Sequence, residues 1–166
     1  MMYAVTGHTS GIGKRLYESL SPNCIGFSRS TGFDITKHAD RARIIDLCSN
    51  VDVFINNATS DMGQTLLLIE LFSAWQDKPK KIINVGSRIA EIKSAVTANL
   101  SYQAEKIILK EMAIRLQGLA KCEIVYKWFG YVGTEKILKK YPHFKYPGDY
   151  ITEQQACQMI LNYRSD

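Results

Sequence analysis

The chain begins with a short apolar segment, 3–5, that runs directly into a glycine-rich turn and then into residues with helical spacing, 14–20. Gly7 suits a tight turn, Gly11 removes a side chain where an anion must approach the main chain, and Gly13 lets a helix pack closely on a strand. Unpaired N–H groups at the start of such a helix face an anion. The sequence therefore predicts a phosphate-binding strand–turn–helix unit, the alternative being a turn that merely reverses the chain.

The length of 166 residues, with 46% hydrophobic and 22% charged residues, predicts a single globular domain over 1–166. The longest aliphatic run, 66–69, is far too short to cross a membrane. No basic segment precedes a long apolar core at the start, so a cytoplasmic location is expected. The four cysteines are widely separated without a C-x-x-C pair, which indicates reduced, buried thiols and no metal site.

The net charge of +5 comes largely from lysine clusters at 78–81 and 136–145. Such clusters can bind nucleic acid, but no nucleic-acid-binding motif accompanies them. A solvated lysine face, or a field that attracts a phosphorylated cofactor, is the favoured interpretation.

Apolar segments at 24–28, 51–58 and 81–87 alternate with helical patterns, of which the clearest are 64–75 and 101–116. Continuous apolar strands separated by helices imply a parallel sheet that binds ligands beyond the carboxyl ends of its strands. We predict an α/β fold: a Rossmann-type doubly wound parallel sheet of about six strands in three α/β/α layers. The residues expected at the ligand-binding edge are Thr6, Ser28, Asn57 and Ser87.

The segment that follows the second predicted strand reads Ser28-Arg29-Ser30-Thr31. In a dinucleotide-binding sheet this tip faces the adenosine ribose, where a basic side chain accepts the 2′-phosphate of NADP. One guanidinium and three hydroxyls, without a carboxylate in the tip itself, favour NADP. Asp34 lies past the tip and is placed near the adenine. The alternative is that Arg29 is an ordinary surface arginine.

Tyr102 and Lys106 lie four residues apart on a predicted helix and hence on one face. An ammonium group that stabilises the phenolate lowers the pKa of a tyrosine, which makes the pair suitable for acid–base chemistry. The alternative is a packed ring beside a solvated amine.

Several motifs occur in an order that resembles the short-chain dehydrogenase/reductase family. They are Thr6-Gly7-x-x-x-Gly11-Ile12-Gly13, Asn56-Asn57-Ala58, Ser87, Tyr102-x-x-x-Lys106 and Phe129-Gly130-Tyr131-Val132-Gly133-Thr134. The combination is far more specific than any one part, and it covers most of the chain.

This resemblance implies an NADP(H)-dependent oxidoreductase that reduces a small carbonyl compound or oxidises the matching alcohol, with NADP(H) preferred over NAD(H). Tyr102 would be the general acid, Lys106 would hold the nicotinamide ribose and lower the pKa of Tyr102, and Ser87 would hydrogen-bond the substrate oxygen. The implied cofactor-binding residues are Gly7, Ser10, Gly11, Ile12, Gly13, Ser28, Arg29, Ser30, Asp34, Ile35, Asn57, Ala58, Thr59, Tyr102, Lys106, Val132 and Thr134.

The chain also departs from the family pattern. Thr59 stands where glycine usually follows N-N-A, and Phe129 stands where proline is usual. Gln64 is the nearest candidate for the helix asparagine of the family's proton relay, the usual last strand is missing, and the substrate lid at about 135–150 is brief. These departures support an alternative, a non-catalytic NADP(H)-binding sensor.

The helices at 64–75 and 101–116 resemble those that pair in family dimers, so a homodimer or tetramer is expected. The lid contains aromatic and basic side chains that can admit an anionic or ring-bearing carbonyl compound or, alternatively, form a packed loop. They are Tyr141, His143, Phe144, Tyr146, Tyr150 and several lysines.

Overall fold

Five parallel strands form the centre of the protein in its computed structural model, which describes residues 1–140 and 150–162. In chain order they are β1 (Tyr3–Thr6), β2 (Cys24–Phe27), β3 (Val53–Asn56), β4 (Lys81–Val85) and β5 (Glu123–Lys127). Their order across the sheet is β2-β1-β3-β4-β5. β3 is buried along its whole length and β4 along nearly all of it, because helices cover both faces of the sheet.

Helices lie on both faces and give the predicted three layers. They are α1 (Gly11–Leu20), α2 (His38–Leu47), α3 (Gly63–Trp75), α4 (Leu100–Leu116), α5 (Glu135–Lys140) and α6 (Glu153–Leu161). Alternate strand residues supply two hydrophobic cores: Ala4 and Phe54 face α2, α3 and α4, whereas Val5 and Ile55 face α1 and α6. Among the described helices, none is both long enough and apolar enough to span a bilayer.

The structure confirms the predicted doubly wound parallel sheet, with five strands in the central sheet where about six were predicted. Only one helix and a short 3-10 turn separate β2 from β3, so the chain places a single strand outside β1. Two further strands, β6 (Val132–Gly133) and β7 (Ile151–Thr152), pair in parallel with each other as a separate two-stranded ribbon.

The strand order reverses direction between β1 and β3, and a crevice opens at such a switch point. Thr6 holds the two strand ends together, because its Oγ1 accepts hydrogen bonds from the backbone N–H groups of Asn57 and Ala58, each at 2.9 Å. The side-chain amide of Asn57 donates a hydrogen bond to the Thr6 backbone carbonyl at 3.0 Å. The glycine-rich turn and the Asn56-Asn57-Ala58 motif are therefore neighbours.

The four cysteines are buried and free, as predicted. Burial raises the pKa of Cys48 to about 12 and that of Cys24 to about 11, so these thiols stay protonated at neutral pH.

Candidate active site

The glycine-rich turn has the shape expected of an anion cradle. Gly7 and Gly11 adopt left-handed backbone angles, with φ of 77° and 55°. The helix α1 begins at Gly11, its N-cap Ser10 makes no side-chain capping bond, and its first turn contains no acidic residue. The first N–H groups of α1 therefore have no side-chain acceptor from Ser10 or from their own turn, which fits a dinucleotide pyrophosphate. The nearest carboxylate, that of Glu153, lies 3.6 Å from the Arg15 guanidinium, and its Oε1 would be 3.9 Å from a Cβ at Gly11.

A cavity of about 820 Å³ opens beside this turn, at the carboxyl ends of β3 and β4. Residues from the first predicted motif, the glycine-rich turn, and from the last, Phe129 to Thr134, both line this cavity. The predicted residues on its wall are Ile12, Asn57, Thr59, Ser87, Tyr102, Lys106, Val132 and Thr134. Gly11 lies just outside this wall, since a Cβ there would be 3.5 Å from the Thr134 methyl group.

The tip of β2, residues 28–31, is not part of the wall of this cavity. The carboxylate of Asp34, which follows the tip in the sequence, lies next to it in the structure. The Arg29 guanidinium lies 3.6 Å from an Asp34 carboxylate oxygen and donates a 2.9 Å hydrogen bond to the Ser60 hydroxyl. Hydrogen bonds from the backbone N–H and the hydroxyl of Thr36 lower the pKa of Asp34. Asp34 therefore stays ionised and faces Arg29, a neighbour that the tip sequence alone did not indicate.

Three other predicted cofactor contacts have structural partners of their own. The Ile35 side chain is buried in the core beneath α2 and α3. The Ser28 hydroxyl lies 2.9 Å from that of Ser30, which in turn donates to the Thr9 hydroxyl at 3.3 Å. This contact ties the tip of β2 to the glycine-rich turn, and Thr9 is a residue that sequence reasoning did not single out.

Ser87 and Tyr102 lie on the wall of the cavity, at the end of β4 and in the first turn of α4. The Ser87 hydroxyl accepts a 3.3 Å hydrogen bond from the Ile89 backbone N–H. Partial burial raises the pKa of Tyr102, opposed by a hydrogen bond with Ser87 and reinforced by the charge of Glu105. The expectation that Lys106 lowers the pKa of Tyr102 is wrong for this structure.

Lys106 is buried, and its ammonium group uses all three donors within the protein. Nζ donates to Thr59 Oγ1 and Gln64 Oε1, each at 2.7 Å, and to the Val85 carbonyl at 3.2 Å. Its distance to the centre of the Tyr102 ring is 5.6 Å. Burial lowers the pKa of Lys106 to about 8, which brings the loss of its proton close to the physiological range.

Gln64, the nearest sequence candidate for a relay amide, belongs to a buried polar network that sequence reasoning missed. Its Nε2 donates to the carbonyls of Asn56, at 2.6 Å, and Val85, at 3.0 Å. The Asn56 amide donates to the Gln64 carbonyl at 2.8 Å and to Asn84 Oδ1 at 3.0 Å. The sequence contained one sign of this network: Asn56 and Asn84 each lie within a predicted strand that is largely apolar.

Gln103 is a second residue that sequence reasoning missed. It is buried, and its amide nitrogen donates to the carbonyls of Ile89, Ile92 and Ser94 at 3.0–3.3 Å. Its amide oxygen accepts from the Val96 N–H at 2.8 Å. Gln103 therefore ties the segment after Ser87, which lines the cavity, to α4.

Part of the first lysine cluster is occupied within the fold. Lys80 lies over the Trp75 ring at 4.5 Å and donates to the Ser49 carbonyl at 2.6 Å, whereas Lys81 pairs with Glu123 at 2.9 Å. Of the predicted lid, 135–140 forms α5, but Tyr141, His143, Phe144, Tyr146 and Lys145 lie outside the described residues.

Searches with protein-family models and against curated proteins find no match to this sequence. Solved structures do match. A short-chain dehydrogenase from Burkholderia cenocepacia J2315 in complex with NADP has a TM-score of 0.76 at 20% identity; the match covers 96% of this chain and 82% of that chain. The 3-alpha-hydroxysteroid dehydrogenase from Pseudomonas sp. B-0831 complexed with NADH has a TM-score of 0.72 at 17% identity, covering 97% and 88%.

A short-chain dehydrogenase from Sphingobium yanoikuyae in complex with NADPH has a TM-score of 0.73 at 15% identity, and the match covers 97% of this chain and 83% of that chain. At these identities the likeness shows a shared fold. The protein has the fold of the short-chain dehydrogenase/reductases, which confirms the fold that the order of its motifs indicated.

The depressed pKa of Lys106 predicts a pH-dependent contribution to stability. Between about pH 8 and pH 10.5 the unfolded chain holds a proton on this lysine that the folded chain has released, so the contribution rises with pH. Urea unfolding of wild type and Lys106→Met at pH 7.5 and 9.5 is expected to show a wild-type advantage that grows by roughly 1–2 kcal/mol at the higher pH.

The exposed Lys93→Met serves as the control, and its difference from wild type should stay constant between the two pH values. A wild-type advantage over Lys106→Met that is equal at both pH values would show that Lys106 titrates as an ordinary lysine.

Proposed function

We propose that this protein is an NADP(H)-dependent oxidoreductase that reduces a small carbonyl compound, or oxidises the matching alcohol, by hydride transfer. One observation carries the proposal: Ser87, Tyr102 and Lys106 line one cavity that also contains Asn57 and Thr134 and lies beside an anion cradle. The structural neighbours include proteins in complex with NADP, NADPH or NADH, which supports a nicotinamide cofactor.

The proposed chemistry needs few groups from the chain. When bound, the nicotinamide supplies a hydride to the carbonyl carbon. The Tyr102 hydroxyl donates its proton to the carbonyl oxygen, so that C=O becomes CH–OH, and the Ser87 hydroxyl hydrogen-bonds the same oxygen as negative charge develops. A phenol whose pKa is raised is well suited to hold that proton at neutral pH.

Lys106 would hold the ribose of the cofactor, and Thr59 and Gln64 would position its ammonium group. For Lys106 to bind the ribose hydroxyls, one of its bonds to Thr59, Gln64 or Val85 must be exchanged. The Thr59 hydroxyl is the natural one to give way, because Thr59 is exposed whereas Gln64 is buried.

Titration calorimetry with NADPH and NADH, followed by a panel of carbonyl substrates monitored through NADPH absorbance, tests this function. Binding of NADPH together with turnover of at least one carbonyl compound is the expected result. Absence of cofactor binding at millimolar concentration would rule the proposal out.

We further propose that Arg29 selects NADPH over NADH. Its guanidinium lies at the tip of β2 with the Ser60 hydroxyl, and it can leave the exposed, weak pairing with Asp34 for a phosphate. Arg29→Ala is expected to weaken NADPH binding roughly tenfold and leave NADH binding within about twofold, measured by calorimetry. An equal loss for both cofactors would contradict this assignment.

A non-catalytic dinucleotide sensor is the second candidate function. The observation in its favour is Lys106, whose three donors are all used by the protein and which therefore holds no free donor toward the cavity. NADPH binding in the micromolar range without oxidation by any carbonyl compound would support this alternative.

We also infer a homodimer that forms through α3 and α4. These neighbouring helices expose apolar side chains to solvent: Leu66, Ile69, Ile107, Ile108 and Ile114. A surface of this kind is typical of protein interfaces. Ile108→Glu is expected to convert a dimer into a monomer in sedimentation velocity, and a wild-type monomer at high micromolar concentration would refute the inference.

A further inference from the structure

Arg88 follows Ser87 directly and lines the same cavity. Its backbone N–H donates to the Phe129 carbonyl at 2.8 Å, which fixes the start of the short 3-10 helix Arg88–Glu91. Its stem passes Gly130, where an added Cβ would lie 3.8 Å from Arg88 Cδ. The backbone of Arg88 is therefore fixed next to Ser87, whose hydroxyl is proposed to meet the substrate oxygen, and the guanidinium extends from there along the cavity wall.

No described side chain neutralises this cation. The wall of the cavity contains no aspartate or glutamate among residues 1–140 and 150–162. Glu91, on the same short helix, pairs instead with Lys110 at 2.5 Å. Within the described chain the Arg88 guanidinium has neither a hydrogen bond nor an ion pair, whereas Lys106, the other cation on the wall, uses all its donors.

Arg88 is exposed, and the wall that it lines also carries the apolar side chains of Ile89, Ile92, Val96 and Ile137. Because water partly screens the charge of an exposed arginine, hydrogen-bond geometry must supply much of the selectivity for a ligand here. The planar guanidinium fork matches a carboxylate through two parallel hydrogen bonds. A ligand with a carboxylate and an apolar body is therefore complementary to this part of the cavity.

We propose that Arg88 is a specificity-determining residue that binds the carboxylate of an apolar oxo acid, or of the matching hydroxy acid, while its carbonyl or hydroxyl group faces Ser87 and Tyr102. The placement of the ligand's carbonyl group at Ser87 and Tyr102 rests on the proposed function. The carboxylate site itself is inferred only from Arg88 and the cavity.

Calorimetry with phenylacetate and its neutral isostere phenylacetamide, with and without saturating NADPH, tests the carboxylate site without turnover. Wild type should bind phenylacetate at least tenfold more tightly than the amide, and Arg88→Gln should remove the preference. Arg88→Lys should keep part of it. Arg115→Gln, which removes an equal charge from the exposed face of α4, is the matched control and should retain the preference in full.

Equal binding of both ligands by wild type, failure of phenylacetate to bind, or an unchanged preference in Arg88→Gln would overturn the proposal. The kinetic counterpart uses phenylpyruvate and its methyl ester with NADPH: Arg88→Gln should raise KM for the acid roughly tenfold and leave kcat and the ester unchanged. A preference for the carboxylate without any turnover would contradict the proposed function but not the carboxylate site. Turnover without that preference would contradict the role of Arg88 but not the proposed function.

Discussion

Tyr102→Phe is expected to abolish carbonyl reduction while cofactor binding persists. The substitution removes one hydroxyl from a half-exposed side chain on the cavity wall and leaves the ring in place. Loss of a positioned general acid typically slows a reaction about 10²–10⁴-fold, so turnover should fall by at least two orders of magnitude. NADPH affinity should stay within about twofold, as measured by calorimetry on the same preparation.

Tyr3→Phe provides the matched control for Tyr102→Phe. Tyr3 lies at the start of β1, at the opposite end of the strand from the cavity, and its hydroxyl donates a 3.1 Å hydrogen bond to the Met1 sulfur. Its removal should leave turnover unchanged. Substantial residual activity in Tyr102→Phe would show that the proton comes from another group, and Tyr102 would lose its assigned role.

Gly13→Ala is expected to cost both stability and cofactor affinity. An added Cβ would overlap the Gly7 carbonyl oxygen, and it would lie 2.7 Å from the Gly7 carbonyl carbon and 2.8 Å from Asn57 Nδ2. Because two of these atoms are backbone, α1 must move away from the glycine-rich turn. Overpacking of this kind costs about 1–3 kcal/mol, and NADPH affinity should fall at least tenfold.

Gly130→Ala is the control for stability, since its Cβ would meet only Arg88 Cδ, at 3.8 Å. Thermal and urea unfolding of the two variants should differ clearly, with Gly130→Ala close to wild type. If Gly13→Ala unfolds like wild type and binds NADPH normally, the close packing of α1 on the turn is not needed for the site.

The short-range patterns predicted most of the architecture. The helix predicted over 64–75 is found at Gly63–Trp75, and the helix predicted over 101–116 is found at Leu100–Leu116. Helical spacing and capping act over a few residues, so one local stretch carries enough information to place these elements. The number of strands depended on how many crossovers fit between β2 and β3, and was predicted less well.

Electrostatic details of the candidate site could not be predicted in the same way. The sequence places Asp34 five residues after Arg29 but does not show that the two side chains face each other. It gives no sign that Thr59, in place of the usual glycine, offers its hydroxyl to Lys106. These contacts join residues from different loops and helices, and they set whether Lys106 and Arg29 are free to meet a ligand.

By itself, the sequence determined the parallel α/β fold, the glycine-rich turn at the first switch point, and the order in which Ser87, Tyr102 and Lys106 reach one edge of the sheet. These follow from backbone preferences and hydrophobic periodicity, which act along the chain. Only the tertiary structure decided the five-strand sheet, the raised pKa of Tyr102, the burial of Lys106 and the lack of a counter-charge for Arg88 among residues 1–140 and 150–162. Desolvation and charge pairing depend on which distant residues surround a group.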